Sequence, residues 1–319
     1  MKSTNYVNFS VRQNKTIERA IVFDGLRRIL SVYSGTTFVY IGLGSIWFVD
    51  FDVAHRELAI DKMVSIEADE VIYKRAKFNK PYRTVEVVHG HSHDVLPDLV
   101  ADRGDLTMHP WIVWLDYDEA IDETKLDELA GLIANLPSNS VLLTTFNAAA
   151  SRYERRPVDR RDRFEQLFGD AFPTEQFTST ADAKNELKVM SALSDAVLDF
   201  MESTAVRIAR RGEFVPAFNL RYKDGSPMAT VGGVLPDETH VAAIDAEISR
   251  SDWTGIASEP IVTPPLTQRE AASLRSLLPD TVTPTRADVE ALGFDLLPEQ
   301  IASFAEHYLK YPSFVQTVR

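Results

Sequence analysis

The sequence predicts an α/β protein with a doubly wound, mainly parallel sheet of about seven strands, a terminal antiparallel hairpin and a small C-terminal helical appendage. Three observations lead to this fold class. Short apolar runs alternate with helical patterns through the first two thirds of the 319-residue chain. Two further strand-like segments, 214–222 and 228–234, are joined by a turn sequence at 223–227. Beyond a proline-containing linker at 260–265, the chain has helical patterns only.

Five apolar runs have the composition of strands that are buried on both faces. Their residues are mostly β-branched, aliphatic or aromatic, and apolar residues stand on consecutive positions rather than on alternate ones. Most of the runs stop at a glycine, an acidic residue or an asparagine, which marks the end of a strand. The five runs are 37–41, 63–66, 84–88, 111–115 and 141–145.

Apolar residues at helical spacing predict helices around these runs. One helix is expected from about Thr16 to Ser34, ahead of the first run. A second apolar stripe covers 126–136, between the fourth and fifth runs, and a longer stripe covers 193–208 after the fifth. Because parallel strands need crossover connections, this alternation indicates helices on both faces of the sheet.

The region after the linker is expected to be helical. Thr267 and Glu270 match a capping box, Gly293 is typical of a helix C-cap, and an apolar stripe covers 301–309. Only three basic residues follow Thr285, which disfavours a DNA-binding helix-turn-helix.

The composition excludes several classes of protein. Lys and Arg number 34 against 47 Asp and Glu, and the resulting net charge of −13 repels phosphate backbones and anionic membranes unless a basic patch is present. The absence of cysteine excludes disulfides, thiolate zinc sites, iron–sulfur clusters and cysteine nucleophiles. No apolar run reaches the roughly 20 residues of a membrane span, and the start of the chain lacks a secretory signal. We therefore expect a cytoplasmic protein without membrane contact.

A glycine turn follows the first predicted strand, as Gly42-Leu43-Gly44-Ser45. In an open parallel sheet, ligands bind at the carboxyl ends of the strands, and two glycines let the backbone approach a ligand closely. Glu67 ends the second strand, where a carboxylate can accept hydrogen bonds from the two hydroxyls of a ribose. The third glycine of a dinucleotide fingerprint is replaced by Trp47, which weakens an NAD interpretation. A purely structural tight turn remains an alternative.

With these features, the chain resembles the class I S-adenosylmethionine-dependent methyltransferases over about residues 15–235. The glycine turn at 40–44 matches the turn of that family, and Glu67 matches its ribose-binding acid. The hairpin resembles the sixth and seventh strands that distinguish the family from dehydrogenases. The resemblance implies a methyltransferase-like Rossmann domain over 1–250, followed by a linker and helical region over 251–319.

The resemblance also implies a cofactor and a set of site residues. S-adenosylmethionine would be the cofactor, and an unidentified acceptor would receive its methyl group. Asp116 and Tyr117, at the end of the fourth strand, would face that acceptor as catalytic candidates. The residues implied in cofactor binding are Gly42, Gly44, Ser45, Glu67, Ser92 and Asp94.

The chain also departs from the family pattern. The acid that usually precedes the glycine turn is absent, and Asp50 or Asp52 could substitute for it. Trp47 and Phe48 stand where small residues are expected. These departures support a second hypothesis, a catalytically inactive scaffold or ligand sensor within a larger bacterial assembly. Under either hypothesis, a protein partner or a homo-oligomer remains open.

Two polar clusters allow further interpretations. One cluster consists of His89, His91 and His93, which would project to one side of an extended segment. These side chains could hold a metal ion, as in a metallohydrolase. A loop that contacts the cofactor, or one that contacts only solvent, is favoured over this interpretation. The acidic run that begins at Asp116 could bind Mg²⁺ or could complement the dipole of the following helix. No metal ligand is assigned.

A third cluster holds six arginines within 152–163. It could contact RNA, a nucleotide or an acidic partner. The three acids among these arginines make a salt-bridged surface segment at least as plausible, so that nucleic-acid binding is not favoured.

Overall fold

In a computed structural model of the chain, one sheet of seven strands crosses the part of the molecule that the structure describes, residues 12–102, 104–173, 177, 179–280 and 282–312. Its strand order is β3-β2-β1-β4-β5-β7-β6. The first five strands are parallel, whereas β7 runs antiparallel to both β5 and β6. The predicted fold class is confirmed.

The strands lie close to the positions that the apolar runs predicted. Their bounds are Val39–Leu43 (β1), Lys62–Glu67 (β2), Val85–His89 (β3), Trp111–Asp116 (β4), Ser140–Asn147 (β5), Val215–Lys223 (β6) and Pro227–Leu235 (β7).

Helices occupy both faces of the sheet, as the crossover connections require. Their bounds are Gln13–Val32 (α1), Val49–Leu58 (α2), Glu70–Asn79 (α3), Ser92–Ala101 (α4), Glu123–Asn135 (α5), Ala150–Tyr153 (α6), Pro157–Phe168 (α7), Glu186–Arg207 (α8), Val241–Ile248 (α9), Gln268–Arg275 (α10), Arg286–Ala291 (α11) and Pro298–His307 (α12).

The central strands contribute side chains to two hydrophobic cores, one on each face. In β4, Trp111, Val113 and Leu115 join the core beneath α5 and α8. Ile112 and Trp114 point the other way, into the core beneath α1. Because both faces are buried, the central strands are apolar on consecutive positions, which explains the pattern in the sequence. The edge strand β3 differs from the prediction, since its Glu86 is exposed.

The linker covers the outer edge of the hairpin. Asn219 and Tyr222 of β6 form isolated parallel bridges with Ile256 and Ile261 of the linker. The backbone N–H of Ile261 donates to the carbonyl of Arg221 at 2.7 Å. An exposed edge strand invites pairing with other chains, so this linker protects the sheet.

The C-terminal helices pack against the face that α1 covers. Leu274 of α10, Val289 of α11 and Phe304 of α12 are buried in the same core as Ile21 of α1.

The division into domains at residue 250 stays a prediction. Within the described ranges, no helix has the length and apolar character needed to cross a membrane.

A buried hydrogen-bond cluster fixes the start of α1. Asp224, in the hairpin turn, accepts hydrogen bonds from the backbone N–H groups of Asn14 and Lys15 at 3.2 and 2.7 Å. The Asn14 side chain donates to the carbonyl of Lys223 at 2.8 Å and accepts from the backbone and hydroxyl of Thr263 at 3.0 and 2.6 Å. A carboxylate at a helix N-terminus satisfies free N–H groups and is favoured by the helix dipole. The hairpin therefore caps a helix that lies about 200 residues earlier in the chain.

We predict that Asn14→Ala lowers the free energy of unfolding by about 1–3 kcal/mol, because it leaves buried donors and an acceptor without partners. Urea denaturation followed by circular dichroism measures the change. Asn79→Ala, at an exposed position at the end of α3, is the control and should stay within about 0.5 kcal/mol of the wild type. Equal stability of both variants would contradict the anchoring of α1.

Candidate functional site

A cavity of about 370 Å³ opens at the carboxyl ends of β1, β2 and β4. It lies where the strand order reverses between β1 and β4, the usual ligand position in a doubly wound sheet. Six of the eight predicted site residues line it: Gly44, Ser45, Glu67, Ser92, Asp116 and Tyr117. Gly42 and Asp94 do not belong to its lining.

The two residues outside the cavity have other surroundings. Gly42 lies within β1, where a Cβ atom would stand 3.3 Å from the Tyr40 ring and 3.5 Å from the Phe51 ring. Its small size therefore serves packing against α2. Asp94 lies in the first turn of α4, and its carboxylate is 71% exposed. Its predicted contact with the cofactor has no support in the geometry.

Gly44 and Glu67 are in close contact at the ends of β1 and β2. The backbone N–H of Gly44 donates to the carbonyl of Ile66. A Cβ atom on Gly44 would stand 2.7 Å from a Glu67 carboxylate oxygen and 2.8 Å from the Ile66 carbonyl, closer than real Cβ atoms come. Glycine is therefore required here by the space that Glu67 occupies.

Glu67 is a buried carboxylate at the cavity wall, with 5% of its surface exposed. One oxygen accepts a hydrogen bond from the backbone N–H of Asp69 at 3.1 Å. Burial raises the pKa of Glu67, and the backbone hydrogen bond from Asp69 opposes this rise only in part. Such an acid can accept hydrogen bonds from the hydroxyl groups of a ligand in the cavity.

Trp47 and Phe48 shape the turn between β1 and α2. The Trp47 side chain lines the cavity without closing it and is 47% exposed. Phe48 adopts a left-handed conformation at φ 48° and ψ 31°, which non-glycine residues rarely do. Its buried ring packs edge-on against Phe51, with centroids 5.3 Å apart. This packing offsets the backbone strain, so that the turn closes without a third glycine.

Asp50 and Asp52, the two candidates to replace the acid that is absent before the glycine turn, have different surroundings. Asp50 lines the cavity and forms an ion pair with Arg19 of α1. Asp52 lies outside the cavity lining, where it accepts hydrogen bonds from Tyr82 at 2.5 Å and Arg56 at 3.0 Å.

Helix α1 contributes cations to the cavity that the sequence analysis did not identify. Lys15 and Arg19 line it from one face of α1, and Lys15 approaches Asp116 to 2.9 Å. Burial opposes the charge on Lys15, but Asp116 and Glu18 outweigh burial and place the pKa of Lys15 well above its ordinary value. A signal was present, since positions 15, 18 and 19 share a helix face with buried Val22.

Tyr117 joins the cavity to a second polar cluster. Its hydroxyl donates to Glu128 of α5 at 2.7 Å, and the Ser92 side chain lies near both groups. Burial, followed by the charge of Glu128, places the pKa of Tyr117 well above its ordinary value. The Tyr117 hydroxyl therefore acts as a neutral hydrogen-bond donor rather than as a base.

The three histidines near β3 do not converge. His89 lies within hydrogen-bond distance of the carbonyl of Ala68, at 3.2 Å, whereas the rings of His91 and His93 stack on each other 5.2 Å apart. In the part of the chain that the structure describes, no three His, Cys, Asp or Glu side chains are grouped to hold a metal ion. The histidine-ligated hydrolase hypothesis therefore has no support in the geometry.

Several arginines of the segment 152–163 have partners within the protein. Buried Arg160 donates to the backbone carbonyls of Glu154 and Ala183 at 2.9 and 2.6 Å. Arg163 pairs with Glu123 of α5 at 2.7 Å. Such pairing favours the interpretation of a salt-bridged surface segment over a nucleic-acid contact.

A model of the protein family described as "Putative O-methyltransferase" matches residues 7–318. The chain belongs to this family. The resemblance to methyltransferases is thus confirmed at the level of the family, and with it a methyltransferase-like protein as the predicted function. No sequence among the curated proteins matches the chain.

Two solved structures illustrate the similarity in chain course. Trm1 from Pyrococcus horikoshii with S-adenosyl-L-methionine is 12% identical at a TM-score of 0.43, and the match covers 75% of this chain. This match spans only 58% of the Trm1 chain. An O-methyltransferase from Bacillus cereus in complex with SAH is 13% identical at a TM-score of 0.37, covering 71% of this chain and 94% of that one.

We predict that Glu67→Gln makes the protein more stable than the wild type at pH 8, and that this difference shrinks as the pH falls toward 5. The folded-state pKa of Glu67 is raised, so its ionised form costs stability at high pH and this cost disappears on protonation. Urea denaturation at several pH values measures the difference. Glu86→Gln, on the exposed side of β3, is the control. A destabilised Glu67→Gln variant at pH 8 would contradict the burial of this charge.

Proposed function

We propose that the protein binds S-adenosylmethionine in the cavity beside Gly44 and Glu67 and transfers the methyl group to an oxygen atom of an acceptor. Membership of the family described as "Putative O-methyltransferase" supports the reaction class. The observation that carries the proposal is the buried Glu67 carboxylate, which faces a nucleoside-sized cavity at the switch point of the sheet.

The residues of the cavity fit this cofactor. Its volume of about 370 Å³ lies in the range of small-molecule sites. Glu67 would accept hydrogen bonds from the ribose hydroxyls, and the sugar would approach the backbone of Gly44, which lines the cavity without a side chain. Ser45 would contact the cofactor from the same turn. Ser92 would lie toward its base. Tyr117 would lie there too, because its hydroxyl is held by Glu128, so that this proposal replaces the predicted role of Tyr117 at the acceptor.

The chemistry requires alignment more than proton transfer. Bound S-adenosylmethionine supplies an activated methyl group on a positively charged sulfur. The chain would hold the acceptor oxygen in line with that group, and this alignment accounts for most of the acceleration. Asp116, at the end of β4, would keep its ion pair with Lys15 and face the end of the cavity where the methyl group is transferred.

A cytoplasmic location, a protein partner and a homo-oligomer stay predictions from the sequence.

We predict that Glu67→Gln and Gly44→Ala each weaken S-adenosylhomocysteine binding by about tenfold or more. The first change removes a charge-assisted hydrogen bond, worth about 1.5–3 kcal/mol. The second places a methyl group against the Glu67 carboxylate and the Ile66 carbonyl. Isothermal titration calorimetry with S-adenosylmethionine and S-adenosylhomocysteine measures both effects.

Matched controls are available for both substitutions. Glu86→Gln changes an exposed glutamate on the neighbouring strand, and Gly131→Ala adds a methyl group where nothing lies within 4 Å. Both controls should bind like the wild type. If folded wild-type protein binds neither ligand, the proposal is wrong. Binding without transfer to any acceptor in an extract of the native host would favour the scaffold or sensor hypothesis.

A further inference from the structure

Lys15 of α1 is a buried lysine between two carboxylates. Its side chain is 3% exposed, and its ammonium lies 2.9 Å from Asp116 and 3.2 Å from Glu18. The same ammonium lies 4.9 Å from the centre of the Trp114 ring and 5.4 Å from that of Tyr222. Burial of an ammonium group is costly unless opposite charges surround it. The surroundings of Lys15 thus fix both its charge and its position.

The two carboxylates differ in how firmly they are held. Glu18 is fully buried and accepts a hydrogen bond from the Thr230 hydroxyl at 2.6 Å. That hydroxyl contacts Thr145 at 2.7 Å, and Thr145 accepts from the Trp114 indole at 2.9 Å. Glu18 is therefore anchored in the core. Asp116 is 31% exposed and lines the cavity, so Lys15 links an anchored carboxylate to one that faces the ligand.

We propose that Lys15 is a positioning residue that holds the Asp116 carboxylate directed into the cavity, for the cationic part of the bound ligand. The inference rests on the proposed function. S-adenosylmethionine carries an ammonium and a sulfonium group, and S-adenosylhomocysteine keeps the ammonium. A carboxylate held in one orientation attracts such a cation without a further loss of side-chain entropy.

Removal of Lys15 leaves the charged and titratable groups around its ammonium without their buried cation. Glu18 and Arg19 of α1, Asp116 of β4 and Tyr222 of β6 face its ammonium, and Asp50 of α2 pairs with Arg19. Burial raises the pKa of Glu18, Lys15 opposes that rise, and Asp116 adds to it. Without Lys15, the nearby charge of Asp116 raises the pKa of the buried Glu18 carboxyl further, so that Glu18 takes up a proton as the pH falls. Asp116 then turns toward Glu18 instead of the cavity.

The experiment is a double-mutant cycle of Lys15→Met and Asp116→Asn, with S-adenosylhomocysteine binding measured by calorimetry at pH 6.5. We expect each single variant to bind at least tenfold more weakly than the wild type. The double variant should bind within twofold of the weaker single variant, because Lys15 acts through Asp116. Lys188→Met is the control, since it breaks the ion pair with Asp182, at 2.6 Å, outside the cavity.

A pH series separates positioning from a structural role. Between pH 8 and pH 6, Lys15→Met should lose affinity more steeply than the wild type, and this extra pH dependence should be absent from the double variant. If Lys15→Met does not fold, Lys15→Arg replaces it. This variant keeps the charge but displaces Asp116. It should bind S-adenosylhomocysteine three- to tenfold more weakly than the wild type. In the Asp116→Asn background, the same substitution should leave the affinity unchanged.

Three results would overturn the inference. They are wild-type affinity in a folded Lys15 variant, additive losses in the double variant, and unchanged affinity after Asp116→Asn. Each of these outcomes leaves the proposed function intact, because the wild type still binds the ligand. Absence of binding by the wild type itself would overturn both proposals, so the two failures are distinguishable.

Discussion

The site depends on one close contact, between the end of β1 at Gly44 and the end of β2 at Glu67. The two strands approach so closely that no side chain fits on Gly44, and the space is taken by a carboxylate that is almost fully buried. Burial of this carboxylate costs stability, and the backbone hydrogen bond that it accepts from Asp69 offsets the cost only in part, as the raised pKa of Glu67 indicates. A fold selected for stability alone would place a neutral residue there. Under the proposed function this cost has an explanation, because Glu67 would meet hydroxyl groups of the ligand.

Helix α1 belongs to this site as much as the sheet does. Its start is capped by Asp224 from the hairpin and held by Asn14, and its buried cations pair with acids on the cavity wall. Each pair joins α1 to a different element, Lys15 to the end of β4 and Arg19 to the start of α2. The cavity therefore has fixed charges of both signs in an acidic protein with a net charge of −13. Charges whose side chains are buried, as those of Lys15 and Arg19 are, orient a zwitterionic ligand more strongly than fully solvated charges would.

The fold was predictable from the sequence because its strands are buried on both faces and separated by clear turn residues. Even the antiparallel hairpin followed from a turn sequence between two strand-like segments. The site was predictable only where it depends on strand ends, as for Glu67 and Asp116. The role of Lys15 does not follow from apolar periodicity, because a buried polar face of a helix has the same sequence pattern as a solvent-exposed one. The left-handed conformation of Phe48 could not be foreseen either, since tertiary packing on Phe51 overrides its local preference.

The central claim is that the cavity beside Gly44 holds a nucleoside whose sugar meets Glu67. A crystal structure of the protein with S-adenosylhomocysteine tests this claim most directly. We predict that the ribose hydroxyls lie within hydrogen-bond distance of the Glu67 carboxylate, with the sugar against the backbone of Gly44. A ligand bound elsewhere on the protein, or a Glu67 side chain turned away from the sugar, would contradict it.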